Sequence, residues 1–269
     1  MESECIPRLK KLEIEDLSIS LKSDILLSHA NFESLEHLSI TSDKLEHFLK
    51  SLDKSKLKTF RYATGKVFPE HMEIYKPEDV ASVNDMKKVM IANDLPPDYS
   101  FKFQIFQDIQ VLCLCCPEMT DDMFVDLLDH SRDQIRVLKL CDMASLTPKS
   151  FFKIFEIEHY IDNLKSLHVK ETEALTDDAL KIISKNKSCE LKELIIEGNK
   201  TIMEKKLITN SGIRYLILSP VCSELEHLEL TELGLDETVI KYATLSKDMM
   251  KLRTFILDKN FNKITKSDA

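Results

Sequence analysis

The stretch "LKELIIEGN", Leu191 to Asn199, carries apolar residues at its first, fourth and sixth positions, and that template recurs along the whole chain. It fits "LEHLELTEL" from Leu225, "LRTFILDKN" from Leu252, "LKKLEIEDL" from Leu9, "LEHLSITSD" from Leu35 and "LKTFRYATG" from Leu57. It fits equally "MKKVMIAND" from Met86, "IQVLCLCCP" from Ile109, "IRVLKLCDM" from Ile135 and "LKSLHVKET" from Leu164. Successive starts lie 26, 22, 29, 23, 26, 29, 27, 34 and 27 residues apart. Repetition at such a period is the mark of a solenoid, in which each unit buries its apolar side against the next.

The alternation at the fourth, fifth and sixth positions predicts a short strand in each unit. A second pattern follows it in several units: "MTDDMFVDLL" from Met119, "LTPKSFFKIF" from Leu146 and "LTDDALKIIS" from Leu175. A threonine or aspartate ahead of an apolar-periodic stretch is a helix N-cap, and acids in the first turn suit the helix dipole. Each unit therefore reads as strand, loop and helix.

The L-x-x-L-x-L pattern followed by "LTD-x-x-L" resembles leucine-rich repeats, in particular the cysteine-containing subtype of F-box proteins. The resemblance implies an α/β solenoid of about ten repeats, shaped as a horseshoe, with a parallel sheet on the concave face and helices on the convex face. It covers nearly all of residues 1–269, which are expected to form a single domain. The sequence departs from the subtype at the ninth position. Asparagine stands there at Asn199 and Asn260, and Leu17, Asp43, Gly65, Asp94, Pro117, Met143, Thr172 or Leu233 elsewhere. That side chain normally satisfies backbone groups of the loop, so irregular turns are expected.

The repeats are least regular over 65–108, which holds Pro69, Pro77, Pro96 and Pro97. The alternating "YSFKFQIF", Tyr99 to Phe106, reads either as an extended segment filling the core or as an exposed aromatic docking patch. Both ends read as cut through a repeat without a polar cap, so the expectation is a portion of a longer protein; short irregular ends shielding the core are the alternative. No F-box is visible, so a ubiquitin-ligase role would rest on a segment beyond these residues.

Composition narrows the function classes. The chain is 43% hydrophobic and 31% charged, with a net charge of −9 and both signs interspersed, which disfavours nucleic acid as a partner. No run approaches a membrane span, and the N-terminus lacks the apolar core of a secretory signal. Seven cysteines without a signal then read as reduced thiols in cytoplasm or nucleus. None of the four glycines sits in a phosphate-cradling motif. Among eight histidines, none stands in a recognisable nucleophile–base motif, so the expectation is a non-enzymatic protein without a cofactor.

The cysteines of "VLCLCCP" pose the sharpest chemical question. Strand parity sends Leu112 and Leu114 to the core and Val111, Cys113 and Cys115 to the other face, with Cys116 in the turn. Cys141 should lie beside Cys115 on the next strand, with His168 one strand further. Zinc wants four ligands wrapped around a point, whereas a parallel sheet spreads these groups along a surface, and no C-x-x-C knuckle is present. The expectation is a patch rather than a metal site.

The same parity lines up whole rows. The third positions run Lys11, His37, Thr59, Lys88, Val111, Val137, Ser166, Glu193, His227, Thr254. The fifth run Glu13, Ser39, Arg61, Met90, Cys113, Lys139, His168, Ile195, Glu229, Ile256. Met90, Val111, Cys113, Val137 and Cys141, flanked by Lys139 and His168, form an apolar island expected to be solvent-facing and to bind a protein partner. A basic second-position row and an acidic eighth-position row are expected to border it, either steering a polar partner or merely solvated. The function expected is protein recognition on the concave face, in the manner of the substrate-recognition part of an F-box-type ubiquitin ligase. The alternative is a free-standing adaptor or inhibitor. Charge substitutions at Val111 and Val137 would, on this expectation, abolish binding without unfolding the chain.

Overall fold

The computed structural model describes residues 9–15, 32, 34–41, 57–63, 87–92, 108–129, 134–157, 162–186, 189–247 and 249–260. All ten repeated segments form strands, each running from the third to the seventh position of its motif. They are β1 (Lys11–Glu15), β2 (His37–Thr41), β3 (Thr59–Ala63), β4 (Lys88–Ala92), β5 (Val111–Cys115), β6 (Val137–Cys141), β7 (Ser166–Lys170), β8 (Glu193–Glu197), β9 (His227–Thr231) and β10 (Thr254–Asp258). They pair in chain order as one open parallel sheet, always with equivalent motif positions opposite each other. This is the architecture of a repeat solenoid.

Backbone hydrogen bonds at the start of each strand hold this register. At most junctions the carbonyl of a second-position residue accepts the N–H groups of the second and third residues of the next unit. Glu36 and His37 donate to Lys10 at 2.9 Å each, Arg136 and Val137 to Gln110 at 2.9 and 3.0 Å, and Arg253 and Thr254 to Glu226 at 2.8 and 3.0 Å.

Helices connect the strands from β5 onward: α1 (Asp121–Asp129), α2 (Pro148–Phe152), α3 (Asp177–Ile183), α4 (Lys200–Lys205), α5 (Asn210–Ile217) and α6 (Thr238–Leu245). A π-helical turn, Lys153–Ile157, continues α2. α1 packs on α2, α2 on α3, α3 on α5 and α5 on α6. The fourth- and sixth-position residues, such as Leu112, Leu114, Leu138, Leu140, Leu167 and Val169, meet Phe124, Phe151, Phe155, Leu180 and Leu216 from the helices in one continuous core. Full burial of each such side chain contributes roughly 1.5–3 kcal/mol before chain entropy is subtracted. Leu12, Ile14, Phe255 and Leu257 are half-buried, so the core thins at β1 and β10.

The turns leaving the strands are regular, contrary to the expectation from the ninth position. The eighth residue adopts a left-handed conformation at Asp142 (φ 47°), Glu171 (φ 51°), Glu232 (φ 54°) and Lys259 (φ 52°). Its N–H donates to the seventh-position carbonyl of the next unit, as in Asp142 to Lys170 at 3.0 Å and Glu171 to Glu197 at 2.8 Å. Where the ninth residue is apolar, the neighbouring unit satisfies its backbone. Thr172 Oγ1 accepts from the Met143 N–H at 3.5 Å, and Asn260 Oδ1 from the Leu233 N–H at 2.8 Å. Asn199 turns instead to cap α4, accepting from the Ile202 N–H at 3.0 Å. The irregular stretch 65–108 and the aromatic segment Tyr99 to Phe106 fall almost wholly outside the described residues, as do both ends.

The helix layer has its own link between units. Thr147, Thr176 and Thr209 cap α2, α3 and α5 as the sequence predicts for the first two. Asp177, the first residue of α3, accepts the N–H and the hydroxyl of Thr209 at 2.8 and 2.6 Å. Asp121, opening α1, does the same for Thr147 at 2.8 and 2.5 Å. Gly212 is what lets α5 approach, because a Cβ there would stand 2.0 Å from Asp177 Oδ1.

Replacing Asp177 by Ala is expected to cost about 1–2 kcal/mol, the scale of a lost cap with its charge-assisted bonds. Gly212→Ala should cost a similar amount by displacing the carboxylate. The double mutant should be more stable than the sum of the two losses predicts, since D177A removes most of the clash. Urea unfolding followed by circular dichroism checks all three.

Candidate functional site: the outer face of the sheet

With the leucines committed to the core, the third, fifth and seventh positions share the opposite face, and the register aligns them into the rows that parity predicts. What parity does not reveal is which parts of these rows reach solvent. Met90, Val111, Cys113, Val137 and Cys141 do lie on this face, but Val111, Cys113 and Cys141 are 0% exposed, Met90 6% and Val137 8%. Together with Ala63, Ala92 and Cys115 they form a second buried apolar cluster, separate from the main core. The expectation of an open apolar island is therefore corrected. β5 and β6 are buried on both faces, the reading appropriate to a near-continuous apolar strand. Lys139 is buried beside the cluster, and His168 is half-buried between Lys139 and Ile195 in the fifth row.

The cysteines resolve into two kinds. Burial pushes the Cys113 and Cys141 thiols up to about 12 and the Cys115 thiol to about 11, so they stay protonated near neutrality. Cys116 belongs to the main core and plays a loop role. Its thiol donates to the Ile91 carbonyl of the preceding unit at 3.7 Å, and its N–H meets Met143 Sδ at 3.3 Å. Asn260 Nδ2 makes the equivalent bond to Leu230 O, at 2.5 Å. Among the described residues, no three His, Cys, Asp or Glu side chains converge as a metal site.

The expected basic margin is interrupted by acids of its own row. Glu36 sits between Lys58 at 2.6 Å and Lys10 at 3.1 Å, whose ammonium groups, Lys58 first, pull its carboxyl down to about 2. Glu226 likewise lies between Arg253 at 3.5 Å and Lys192 at 3.8 Å. In the eighth row, Glu232 pairs with Lys259 at 2.8 Å and Glu171 with Lys170 at 3.7 Å. These exposed pairs neutralise the margins locally and contribute little stability each.

Polar residues of the outer face are also paired towards its middle. Ser166 donates to Glu193 at 2.5 Å and Lys170 to Glu197 at 2.8 Å, each across one strand spacing. The face opens towards its two ends. At β9 and β10, His227 lies 3.6 Å from Glu229, and Thr254 and Ile256 are exposed. At β1 to β3, Lys11, Glu13, His37, Ser39, Thr59 and Arg61, together with Leu12 and Leu38, line a cavity of about 330 Å³. Sequence reasoning placed these residues in the right rows without selecting them. The signal that could have done so was composition, since the first three strands put polar groups on the outward parity where β4 to β6 put mainly apolar ones.

No protein-family model matches the chain, and no curated protein is significantly similar to it in sequence. Among the described residues, no helix is long and apolar enough to cross a membrane.

Val111→Asp places a carboxylate at a fully buried position, with Lys88 on the neighbouring strand as the adjacent cation, and should destabilise the fold by on the order of 2–4 kcal/mol. The signature is a lowered unfolding midpoint, not a folded chain that has lost binding. Thiol titration gives a second check. Cys113 and Cys141 should not react in the folded chain at pH 8 and should react freely in guanidinium. Because their folded values lie near 12 against an ordinary 9.0, the stability they contribute is full below pH 9 and is lost as pH rises towards 12.

Proposed function

We propose that the chain is a leucine-rich repeat protein of the cysteine-containing kind, and that it recognises a protein partner on the outer, concave face of a horseshoe. The observation that carries this reading is the division of the outer face. Ten aligned strands present a graded surface, closed and mainly apolar over β4–β6 and more open towards β1–β3 and β9–β10, where polar and apolar side chains are mixed. Cys116, Thr172 and Asn260 support the family reading, because each satisfies backbone groups of loop or strand in the way the subtype's loop residues would. The partner is expected to engage the open ends, with the buried island stiffening the sheet between them. Substrate recognition within an F-box-type ubiquitin ligase is the setting that the resemblance implies.

Affinity purification with mass spectrometry on the tagged full chain tests the proposal. Wild type should retain a specific protein partner, and Lys11→Glu combined with Ile256→Asp should reduce its recovery at least fivefold with circular dichroism unchanged. Co-recovery of a ubiquitin-ligase adaptor would support the F-box setting. Equal recovery by the double variant would remove the outer face as the binding surface.

A further inference from the structure

From the helix layer we infer a second interaction surface, in which the acid-free stretches of α3, α5 and α6 bind a short extended peptide segment of mixed acidic and apolar character. It lies on the other side of the sheet from the outer face and does not depend on the recognition reading for that face.

The sequence divides the charges of these three helices by position. Acids stand at the start: Asp177 and Asp178 in the first turn of α3, Asp236 and Glu237 just before α6. From Ala179 to Cys189, Leu207 to Ser223 and Thr238 to Lys247 the chain carries no acid, and Lys181, Arg214 and Lys241 stand exposed there. Lys181 and Arg214, in the last turns of α3 and α5, suit the helix dipole. The dipole does not account for the apolar side chains beside them: Tyr215 is 50% exposed, Leu218 44% and Leu245 66%. Neighbouring helices knit the two kinds together. Lys181 Nζ lies 5.4 Å from the centroid of the Tyr215 ring, and the Arg214 guanidinium carbon 5.6 Å from that of Tyr242. Because α3 packs on α5 and α5 on α6, one cationic and apolar strip crosses all three.

An acidic segment fits the charge, and the helix spacing sets its form. Packed helices lie about 8–10 Å apart, and three residues of extended chain span about 10 Å. An apolar residue at every third place would therefore meet Tyr215 and Leu218 on α5 and then Leu245 on α6, while the acids between reach Lys181, Arg214 and Lys241. Nucleic acid would satisfy the cations and leave the leucines without a counterpart. An anionic membrane fits less well. Tyr215 and Leu218 keep half their surface against the protein, whereas an interfacial face sinks about 5–10 Å into the lipid. The net charge of −9 also opposes approach to an anionic surface.

Fluorescence anisotropy with three labelled hexapeptides, titrated with the full chain, tests this: Glu-Glu-Leu-Glu-Glu-Leu, its counterpart with Gln for Glu, and Glu-Glu-Ser-Glu-Glu-Ser. The first should bind, and each of the others should bind about fivefold more weakly or worse. Lys181→Glu combined with Arg214→Glu should weaken the first about tenfold with circular dichroism unchanged. Asp178→Asn, which removes an exposed acid one turn from Lys181, should tighten it about twofold, a gain that an unfolded variant cannot mimic. Arg136→Glu, a charge reversal at an exposed arginine of the sheet margin, should leave it unchanged. Equal binding of the three peptides, an equal loss in R136E, or no gain in D178N would each overturn the site. Sedimentation of the chain with phosphatidylserine vesicles, without peptide binding, would overturn it in favour of a membrane surface.

Discussion

One carbonyl per unit sets the geometry of the protein. At most junctions the second-position oxygen receives two N–H groups from the following unit, which fixes where that unit's strand begins and permits no offset between neighbours. A slip of one residue in a sheet would turn every leucine out of the core. Because the start is pinned at successive junctions, an alternation only five residues long becomes a set of rows running across ten strands. Both the core and the outer face follow from that single repeated contact.

The two layers are joined by different means. The sheet is continuous and nearly uniform, whereas the helix layer is linked through individual side chains. Asp121 reaches Thr147 and Asp177 reaches Thr209, but α2 opens on Pro148, which has no carboxylate to offer Thr176. The linkage in the helix layer therefore varies from unit to unit while the strands march evenly. Gly198 shows how tight the approach between units becomes. A Cβ there would stand 2.3 Å from the Glu232 carbonyl oxygen, so the eighth position of that unit has no room for a side chain.

The strands were legible in number and place, because a buried leucine at the fourth and sixth positions leaves a period-two trace that survives variation elsewhere. The caps were legible for a similar reason, since a threonine hydroxyl before a helix has a local job that does not depend on tertiary context. The outer face was legible in its membership and not in its exposure. Val111 and Glu13 have the same parity, yet one is buried and the other open, and no pattern within a single strand separates them. Only the strands on either side do so: Val111 lies between Lys88 and Val137, within a run of apolar and small residues, and Glu13 at the sheet's edge. The loops misled in a different way. Met143 and Leu233 looked unable to satisfy their turns, because the groups that do so, on Thr172 and Asn260, belong to the next unit and lie 29 and 27 residues further on.

The left-handed turns at Asp142, Glu171, Glu232 and Lys259 carry an implication for how such a protein can change. A side chain in that conformation costs roughly 1–2 kcal/mol relative to one that is at ease there. Glycine at any of these sites would recover part of that sum, less the extra freedom it gives the unfolded chain. The scaffold thus holds unspent stability at positions remote from the cavity over β1–β3. Substitutions that reshape the cavity at some cost to the fold can be compensated from there, leaving the rows free to drift towards new partners while the sheet stays as it is.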